Sequence, residues 1–327
     1  MILVTGGAGY IGSHTVKLLL ENGYQVVTYD SMEFGHPEAV LGGVIFEGDL
    51  LDRDRLDEAF DKHPIDAIIH FAAYASVGDS VVNPEKYFNN NIGGGLNLVN
   101  AMRAKGVDKI IFSSSAATYG EPIHIPIEES HPQNPTNPYG ETKLMFEKIL
   151  KWYDVAYGIK SISLRYFNAA GDDPEGKIGE DHEPEQHLIP IVLQTALGQR
   201  ESVKVFGTDW DTPDGTCVRD YIHVTDLADA HLLALIALQN GAQTTAYNLG
   251  NGDGQSVKQV IDTAEQVVGR KIPWEAAPRR PGDPARLVAS SDKLKKELGW
   301  QPKYPELETI IETAWRWHSA HPNGYEK

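Results

Sequence analysis

The stretch TGGAGYIG at residues 5–12 directly follows a short apolar run and decides the fold. Its glycines at positions 6, 9 and 12 are spaced three residues apart. In a strand–turn–helix unit, Gly6 permits the tight turn, Gly9 lets the backbone approach a phosphate, and Gly12 lets the helix pack closely on the strand. Because the first amides of the helix can hold a pyrophosphate, the stretch predicts a dinucleotide-binding turn.

An acid at the end of the second predicted strand indicates which dinucleotide is bound. Asp30 can accept hydrogen bonds from the ribose hydroxyls, and its charge repels a 2′-phosphate. No arginine in the next few residues offsets that repulsion, so the cofactor is predicted to be NAD and not NADP. Asp49 and Leu50 follow the third predicted strand and are placed to contact adenine, although the acid could equally cap a helix.

Short β-branched runs alternate with amphipathic stretches up to about residue 168, which is typical of a parallel sheet covered by helices. We predict an α/β fold, a Rossmann-type doubly wound parallel sheet with a smaller mixed α/β domain that binds the substrate. The predicted strands are Ile2–Val4, Gln25–Tyr29, Val44–Phe46, Ala67–Phe71, Lys109–Ser113 and Ser161–Leu164, with helices over 52–62, capped by Asp52, and over 84–105.

A polar stretch containing prolines and glycines, from Gly171 to Pro184, marks the predicted domain boundary. Residues 1–170 are therefore predicted to form the NAD-binding domain and residues 171–327 the substrate domain. Residues 224–240 look helical and 246–249 extended, so residues 218–250 are expected to return to the first sheet.

The composition restricts the partners and the compartment. With 29 Lys and Arg against 46 Asp and Glu, the net charge of −17 disfavours nucleic acid or an anionic membrane as a partner. An anionic ligand would therefore need a local basic pocket. The single cysteine, Cys217, allows no internal disulfide, and no run is apolar enough to span a membrane or act as a leader. We expect a cytoplasmic protein.

Two motifs supply candidate catalytic side chains. Tyr139 and Lys143 are four residues apart on a helix that begins at Pro138, so they share one face. A neighbouring cation and the positive nicotinamide ring favour the phenolate, so Tyr139 could serve as a general base. Ser115 follows the fifth strand, whose carboxyl end faces the ligand crevice, and could hydrogen-bond the reacting oxygen. Alternatively, the tyrosine is merely packed, the lysine solvated and the serine a loop cap.

Five blocks occur in order along essentially the whole chain: TGGAGYIGSH, SSSAATYG, PYGETK, LRYFNAAG and GTCVRDYIHV. In these blocks the chain resembles the UDP-glucose 4-epimerases of the extended short-chain dehydrogenase/reductase family. The resemblance implies Ser115, Tyr139 and Lys143 as the catalytic set, a tightly held NAD that is not consumed, and a homodimer. Further cofactor contacts that it implies come from Tyr10, Ile11, Phe71, Ala72, Asn90, Ser113, Tyr166 and the catalytic pair Tyr139 and Lys143.

A UDP-sugar substrate is also implied by the resemblance. Arg219 and Arg280 would meet its diphosphate, although arginines on an acidic protein usually form surface ion pairs. Asp283 would bind the uridine ribose. The other implied substrate contacts are Phe167, Asn168, His187, Leu188, Phe206 and Leu287. Because more restrictive members carry a tyrosine at the position of Leu287, we hypothesise that N-acetylated UDP-hexosamines are also accepted.

The implied reaction inverts carbon 4 of the sugar through a transient 4-keto intermediate, with Tyr139 taking the hydroxyl proton. Another nucleotide-sugar 4-epimerase, a UDP-glucuronate decarboxylase or a 4,6-dehydratase would share these motifs. Ala116 and Ala117 stand where dehydratases carry Asp and Glu, so elimination lacks its acid. A non-enzymatic NAD-binding regulator would not need the Tyr139–Lys143 pair. Some members carry a phosphate-contacting lysine at the position of Ala75, so NAD retention is expected to be weaker here.

The segment around His182 and His187 contains both histidines and glutamates. The two histidines are five residues apart instead of four, and Pro184 interrupts a helix between them. On that reasoning the sequence predicts no metal site.

Overall fold

The computed structural model describes residues 1–280 and 283–325. The strands in chain order are β1 Ile2–Thr5, β2 Val26–Asp30, β3 Val44–Glu47, β4 Ala67–His70, β5 Lys109–Ser113, β6 Lys160–Tyr166, β7 Asn168–Ala170, β8 Val203–Phe206, β9 Val218–Arg219, β10 Tyr221–His223, β11 Thr245–Leu249, β12 Gln255–Ser256, β13 Trp274–Ala277 and β14 Arg286–Leu287. The α-helices are α1 Tyr10–Glu21, α2 Arg53–Lys62, α3 Val77–Val82, α4 Pro84–Tyr87, α5 Gly95–Lys105, α6 Pro138–Tyr157, α7 Leu188–Ala196, α8 Val224–Gln239, α9 Val257–Val268, α10 Asp292–Leu298 and α11 Leu307–Ala320.

Seven parallel strands form the central sheet in the order β11-β6-β5-β4-β1-β2-β3. The chain adds β2 and β3 on one side of β1 and then crosses to add β4 on the other. Ligands of doubly wound sheets bind at such a reversal, beyond the carboxyl ends of the strands. The predicted fold class is confirmed, and the crevice lies beyond Thr5 and His70, which end paired strands.

The two faces of the sheet are covered by different helices, as the alternation of side chains along β1 requires. Ile2 and Val4 pack in the core on the side of α1 and α8, whereas Leu3 packs in the core on the side of α2, α5 and α6. Asp52 caps α2 as predicted, because its side chain accepts a hydrogen bond from the Arg55 amide.

The helix predicted over 84–105 is interrupted. A π-helical segment, Phe88–Gly94, lies between α4 and α5. A Cβ on Gly94 would lie 2.9 Å from the Leu50 Cβ, and one on Gly95 would lie 2.5 Å from the Phe146 ring. The glycines therefore let this stretch approach its neighbours closely, and the widened turn accommodates that approach.

The later part of the chain is joined to the sheet. Helix α8 packs on α1, and β11 extends the sheet beside β6. Helices α7, α9 and α11 enclose a separate core with the β8–β13 pair. Trp300 is buried in the core on the side of α8, and its indole N–H donates to the Asp226 carbonyl at 3.0 Å. Among the described residues, no helix is long and apolar enough to cross a membrane.

Buried histidines make the stability of this fold sensitive to acid. Burial lowers the pKa of His14 and His231 to about 4 and that of His70 and His223 to about 3. The unfolded chain takes up these protons near pH 6.5 and so binds more protons than the folded chain between pH 6.5 and 4. We expect the free energy of unfolding to decrease as the pH is lowered through this range, by about 1.4 kcal/mol per pH unit for each histidine.

Denaturant unfolding at pH 7.5 and pH 5.5 measures this slope. In His231→Gln, the difference in free energy of unfolding between the two pH values should be smaller by about 1 kcal/mol, because one titrating group is removed. Replacement of the exposed His124 by Gln should leave that difference unchanged. An unchanged slope in His231→Gln would show that His231 is already protonated in the folded chain.

Candidate active site

Three glycines of the first turn are required for three different reasons. Gly6 has a φ of +71°, which favours glycine. A Cβ on Gly12 would lie 2.1 Å from the Gly6 carbonyl oxygen, so α1 could not pack where it does. A Cβ on Gly9 would meet only that same oxygen, at 3.4 Å. Since the chain leaves room at Gly9, the glycine there fits a phosphate that approaches the backbone.

Asp30 ties the turn to the second strand. Its carboxylate accepts hydrogen bonds from the Ala8 amide at 2.9 Å and the Met32 amide at 3.0 Å. Burial raises the pKa of Asp30, and these two amides act in the opposite direction. The predicted ribose-binding acid is therefore fixed at the end of β2, beside the turn.

Asp49 and Leu50 lie near the same end of the sheet. The Asp49 carboxylate accepts from the Leu51 amide at 2.8 Å, and its carbonyl accepts from the Tyr29 hydroxyl at 2.9 Å. The helix-cap alternative for Asp49 is wrong, because Asp52 caps α2. Leu50 is buried. Contact of Asp49 and Leu50 with adenine stays a prediction.

Phe71 and Ala72 bring the end of β4 over the turn. Both amides donate to the Thr5 carbonyl, at 2.9 and 3.1 Å. The Thr5 hydroxyl also contacts the His70 Nδ1 at 2.7 Å. His70 is thus a buried histidine packed at the end of β4.

The three predicted catalytic side chains converge at the end of β5. Asn137 caps α6 by accepting from the Gly140 amide at 2.9 Å, which places Tyr139 in the first turn. Ser115 hydrogen-bonds the Tyr139 side chain. One turn further, the Lys143 ammonium donates to the Ser113 carbonyl at 2.8 Å and lies 5.7 Å from the Tyr139 ring centre.

Burial dominates the electrostatics of this trio. In the chain alone, burial raises the pKa of Tyr139, and the Ser115 hydrogen bond only partly opposes it. Burial also lowers the pKa of Lys143 to about 7, although Glu147 acts against that shift. A buried lysine that loses its charge so easily gives the phenolate little help. In the chain without its cofactor, burial thus opposes ionisation of both side chains.

Asn91, which the sequence analysis did not single out, connects two parts of the site. Its neighbour Asn90 is the predicted cofactor contact. Asn90 donates to the Asn91 side chain at 3.0 Å. Asn91 is buried, accepts from the Tyr74 amide at 2.9 Å and donates to the Thr142 hydroxyl at 3.0 Å. It thereby joins the loop after β4 to the helix of Tyr139. Nothing in the run Asn89–Asn91 distinguishes the inward side chain, because the π-helical turn decides it.

A buried ion pair behind the trio was also missed. Arg165 donates to Glu147 through Nε at 2.9 Å, and the Ser114 hydroxyl donates to the same oxygen at 2.5 Å. Arg165 further donates to the Tyr119 hydroxyl at 2.8 Å, and that hydroxyl donates to Asn248 at 2.6 Å. This network holds the ends of β5, β6 and β11 against α6.

The residues after β6 face the same crevice. The Tyr166 hydroxyl contacts the Ser113 hydroxyl at 2.5 Å. Phe167 and Leu287 each pack against the buried cluster of Ala116, Tyr119 and Ile127. The Asn168 amide donates to the Asp220 carbonyl at 3.1 Å, so that donor already has a partner in the chain.

The predicted basic groups meet one acid. Arg280 donates to the Asp283 carboxylate at 2.8 Å, and the nearest Arg219 nitrogen lies 3.7 Å from it. The Arg280 guanidinium also lies over the Phe206 ring, 4.9 Å from its centre. The predicted substrate residues Arg219, Arg280, Asp283 and Phe206 are therefore neighbours. The ion pairing that was considered as an alternative role for the arginines is also present. Arg279 points elsewhere and pairs with Asp209 at 2.8 Å.

His187 immediately precedes α7, and Leu188 begins that helix. The His187 Nδ1 lies 2.7 Å from the Glu180 Oε1 and 3.2 Å from the Glu185 Oε1. His182 contacts the same two carboxylates. The prediction of no metal rested on helical spacing, but these four residues lie in a loop, where that criterion does not apply.

Comparison with known proteins agrees with this geometry. The sequence profile of the NAD dependent epimerase/dehydratase family matches residues 2–250. A UDP-glucose 4-epimerase from Halalkalibacterium halodurans is 58% identical, over 99% of this chain and 97% of that protein. The crystal structure of UDP-glucose 4-epimerase from Brucella ovis in complex with NAD superposes with a TM-score of 0.94 at 49% identity, covering 96% of this chain and 97% of that one.

A second solved structure contains both ligand types. The UDP-glucose 4-epimerase from Bifidobacterium longum, in complex with NAD+ and UDP, has a TM-score of 0.94 at 40% identity, covering 99% of each chain.

Proposed function

The chain belongs to the NAD dependent epimerase/dehydratase family, and from that premise we propose that it interconverts UDP-glucose and UDP-galactose with bound NAD. The observation that carries this function is the convergence of Ser115, Tyr139 and Lys143 at the carboxyl end of β5. That end lies beside the sheet reversal, where the glycine turn fits a dinucleotide. Relatives named UDP-glucose 4-epimerase match over nearly the full chain.

We propose the following division of the chain. Residues 1–170, with 218–250 returning to the sheet, hold NAD, and residues 171–327 hold the nucleotide sugar. The NAD contacts come from the glycine turn, Asp30 and the other predicted cofactor residues around the reversal. The fit of Gly9 and the position of Asp30 support this assignment.

The proposed chemistry is confined to carbon 4 of the sugar. When bound in the crevice, NAD would supply a reversible hydride acceptor for that carbon. Tyr139 takes the proton of the 4-hydroxyl and later returns one to the ketone oxygen. Ser115 orients the same oxygen by a hydrogen bond, and Lys143 holds the end of β5 through the Ser113 carbonyl.

Inversion requires the sugar to present its opposite face between the two transfers. The UDP end must therefore stay anchored while the hexose turns. Arg219 and Arg280 are suited to the diphosphate and Asp283 to the ribose, because all three lie together beside Phe206. The diphosphate would exchange with Asp283 as the partner of the arginines. Binding energy from the unchanging nucleotide then holds the intermediate.

A 4,6-dehydratase is disfavoured by the environment beside Ser115. Ala116 is buried with Tyr119 and Ile127, and the Ala117 amide donates to the Ser115 hydroxyl at 3.1 Å. Elimination of water needs a carboxylic acid at these positions, and neither residue can supply one.

The decisive experiment is incubation of the purified protein with UDP-galactose and no added nicotinamide, followed by chromatography. We expect UDP-glucose to form until the two sugars reach equilibrium. Unchanged UDP-galactose in protein that holds NAD would remove this substrate pair and leave another nucleotide sugar or a non-enzymatic NAD-binding role.

The sugar pocket is expected to accept an N-acetyl group. Leu287 packs against the same Ala116 cluster as Phe167, and a tyrosine at this position would add a ring to that wall. Leu287→Tyr should lower kcat/KM for UDP-N-acetylgalactosamine at least about ten-fold and spare UDP-galactose, because steric exclusion acts only on the larger substituent. Parallel assays of both sugars measure the ratio.

The conservative variant Leu287→Met is the matched control and should keep both activities. Absence of any wild-type turnover of the N-acetylated sugar at saturation would remove the hypothesis, whatever the variants do.

We also propose a cytoplasmic homodimer. Helix α6 exposes Met145, Trp152 and Val155, with Trp152 70% exposed, and α3 exposes Val81 and Val82. Such apolar groups on neighbouring helices suit a self-complementary interface. Gel filtration with light scattering tests this state, and a monomeric mass at micromolar concentration would contradict it.

A further inference from the structure

Four side chains of the loop before α7 converge on one point outside the proposed catalytic trio. Glu180, His182, Glu185 and His187 each offer one ligand atom, and these atoms lie within 4.8 Å of one another. We propose that these four residues bind a divalent transition metal ion, best matched by zinc, in a structural site. This site goes beyond the proposed function and has no step in it.

The distances between the ligand atoms fit a tetrahedral ion. His187 Nδ1 lies 2.7 Å from Glu180 Oε1, and His182 Nδ1 lies 3.1 Å from the same atom. The two oxygens of Glu185 each face one imidazole, Oε1 at 3.2 Å from the His187 Nδ1 and Oε2 at 3.6 Å from the His182 Nδ1. Zinc bonds to nitrogen and oxygen of about 2.0–2.1 Å give tetrahedral edges of about 3.4 Å. Because the four ligand atoms are spread over up to 4.8 Å, shifts of roughly 1 Å would bring them onto such a tetrahedron.

The ligand types select the class of ion. Two imidazoles and two carboxylates are borderline donors that suit zinc and its neighbours better than calcium or magnesium, which prefer oxygen alone. Four protein ligands close the coordination sphere, so the ion would hold the loop and would not activate water.

The carboxylates are fixed before any ion binds. Glu180 is 3% exposed, and its amide donates to the Asp172 carboxylate at 2.8 Å. The Glu185 Oε1 accepts from the Gln186 and His187 amides, both at 2.7 Å. The preceding Gly179 amide donates to the Tyr325 hydroxyl at 2.9 Å. Such outer contacts orient metal ligands and lower the cost of binding.

Charge also favours a cation at this point. Burying two carboxylates is costly unless positive charge compensates them. A dication with neutral imidazoles does so, and two imidazolium ions would do so as well. Buried Asp172 and Asp173 lie on the same segment and add negative charge nearby, although Lys17 pairs with Asp173 at 3.2 Å. The two alternatives differ in one testable respect: only the first requires the cluster to bind a metal ion.

The position of the site gives the ion a structural task. The His182 ring lies edge-on to Tyr10, 6.1 Å between centres, and the Tyr10 hydroxyl donates to the Gly171 carbonyl. Tyr10 belongs to the glycine turn, while His187 precedes α7 of the later part of the chain. A bound ion would fasten the turn to the segment that carries Leu188.

The test uses the NAD-loaded full-length protein, stripped with EDTA, dialysed and titrated with zinc against a chromophoric chelator. We expect one equivalent per chain, and cobalt in place of zinc should give the intense visible absorption of a tetrahedral site. His182→Asn and Glu180→Gln should each weaken zinc binding at least about ten-fold, since each removes one of four ligands. His124→Asn, an exposed histidine elsewhere, should bind as the wild type does.

Two results would overturn the proposal. One is a wild-type chain that takes up no zinc in this titration, which would leave an ion-pair cluster. The other is equal zinc affinity in the wild type and His182→Asn, which would place the ion elsewhere. Because Glu180 is buried, circular dichroism is needed to check that Glu180→Gln folds. If Glu180→Gln does not fold, the variant of the half-exposed His182 provides the test.

Discussion

Tyr139→Phe is expected to lower kcat for UDP-galactose by about 10²–10⁴-fold, the range for removal of a general acid–base group. The ring keeps its packing in the first turn of α6, and only the hydroxyl that contacts Ser115 is lost. Without that oxygen, the variant lacks the proposed general base for the 4-hydroxyl proton. Initial rates with a coupled assay for UDP-glucose measure the effect.

NAD content and UDP binding should remain at wild-type levels in this variant, because the phenol is proposed to act on the sugar oxygen. Tyr153→Phe is the matched control on the same helix. Its hydroxyl donates to Asn100 at 2.9 Å, away from Ser115, and its loss should leave kcat unchanged. A fully active Tyr139→Phe would mean that a different base serves the reaction.

Gly9→Ala and Gly12→Ala should separate cofactor binding from folding. At Gly9 the chain leaves room for a methyl group, so the free energy of unfolding without NAD should stay near that of the wild type. The methyl would occupy the space where a phosphate approaches, and NAD affinity should fall about 10–100-fold. At Gly12 a methyl would meet the Gly6 carbonyl at 2.1 Å, which should destabilise the chain by about 1–3 kcal/mol or more.

Chemical denaturation and NAD titration of each stripped variant measure the two effects. Gly78→Ala in α3, where a Cβ would contact nothing within 4 Å, is the control and should lose neither property. Equal NAD affinity in Gly9→Ala and the wild type would contradict a phosphate at this amide. The titration would also measure how firmly NAD is held by a chain with Ala75 in place of a lysine.

The fold was predictable because each strand of the sheet is a short β-branched run bounded by turns. Lys109–Ser113 matches the prediction, and Ala67–Phe71 is only one residue too long. The catalytic trio was equally accessible, since a spacing of four on a helix and a strand end are local features. The role of Asn91 was not accessible, because its partners Tyr74 and Thr142 lie 17 and 51 residues away and its orientation depends on a π-helical turn. The Glu147–Arg165 pair was not accessible either, because 18 residues separate its members.

Electrostatic behaviour was harder to foresee than position. The sequence placed Lys143 beside Tyr139 but could not show that burial would lower the lysine pKa to about 7. Likewise, a count of residues between His182 and His187 assumes a helix, whereas the loop brings both to the same two carboxylates. Local spacing predicts chemistry only where the backbone between the residues is regular.

The position of β11 at the edge of the central sheet has a consequence for biosynthesis. Its strand pairs with β6, but 78 residues separate the end of one from the start of the other (245 − 166 − 1). While the ribosome is still making those residues, β6 is an open edge, and the apolar side chains of Ile162 and Leu164 have no α8 to cover them. Until β11 has been made, the nascent cofactor half therefore presents an unpaired edge strand and uncovered apolar surface, the features that favour misassociation during synthesis.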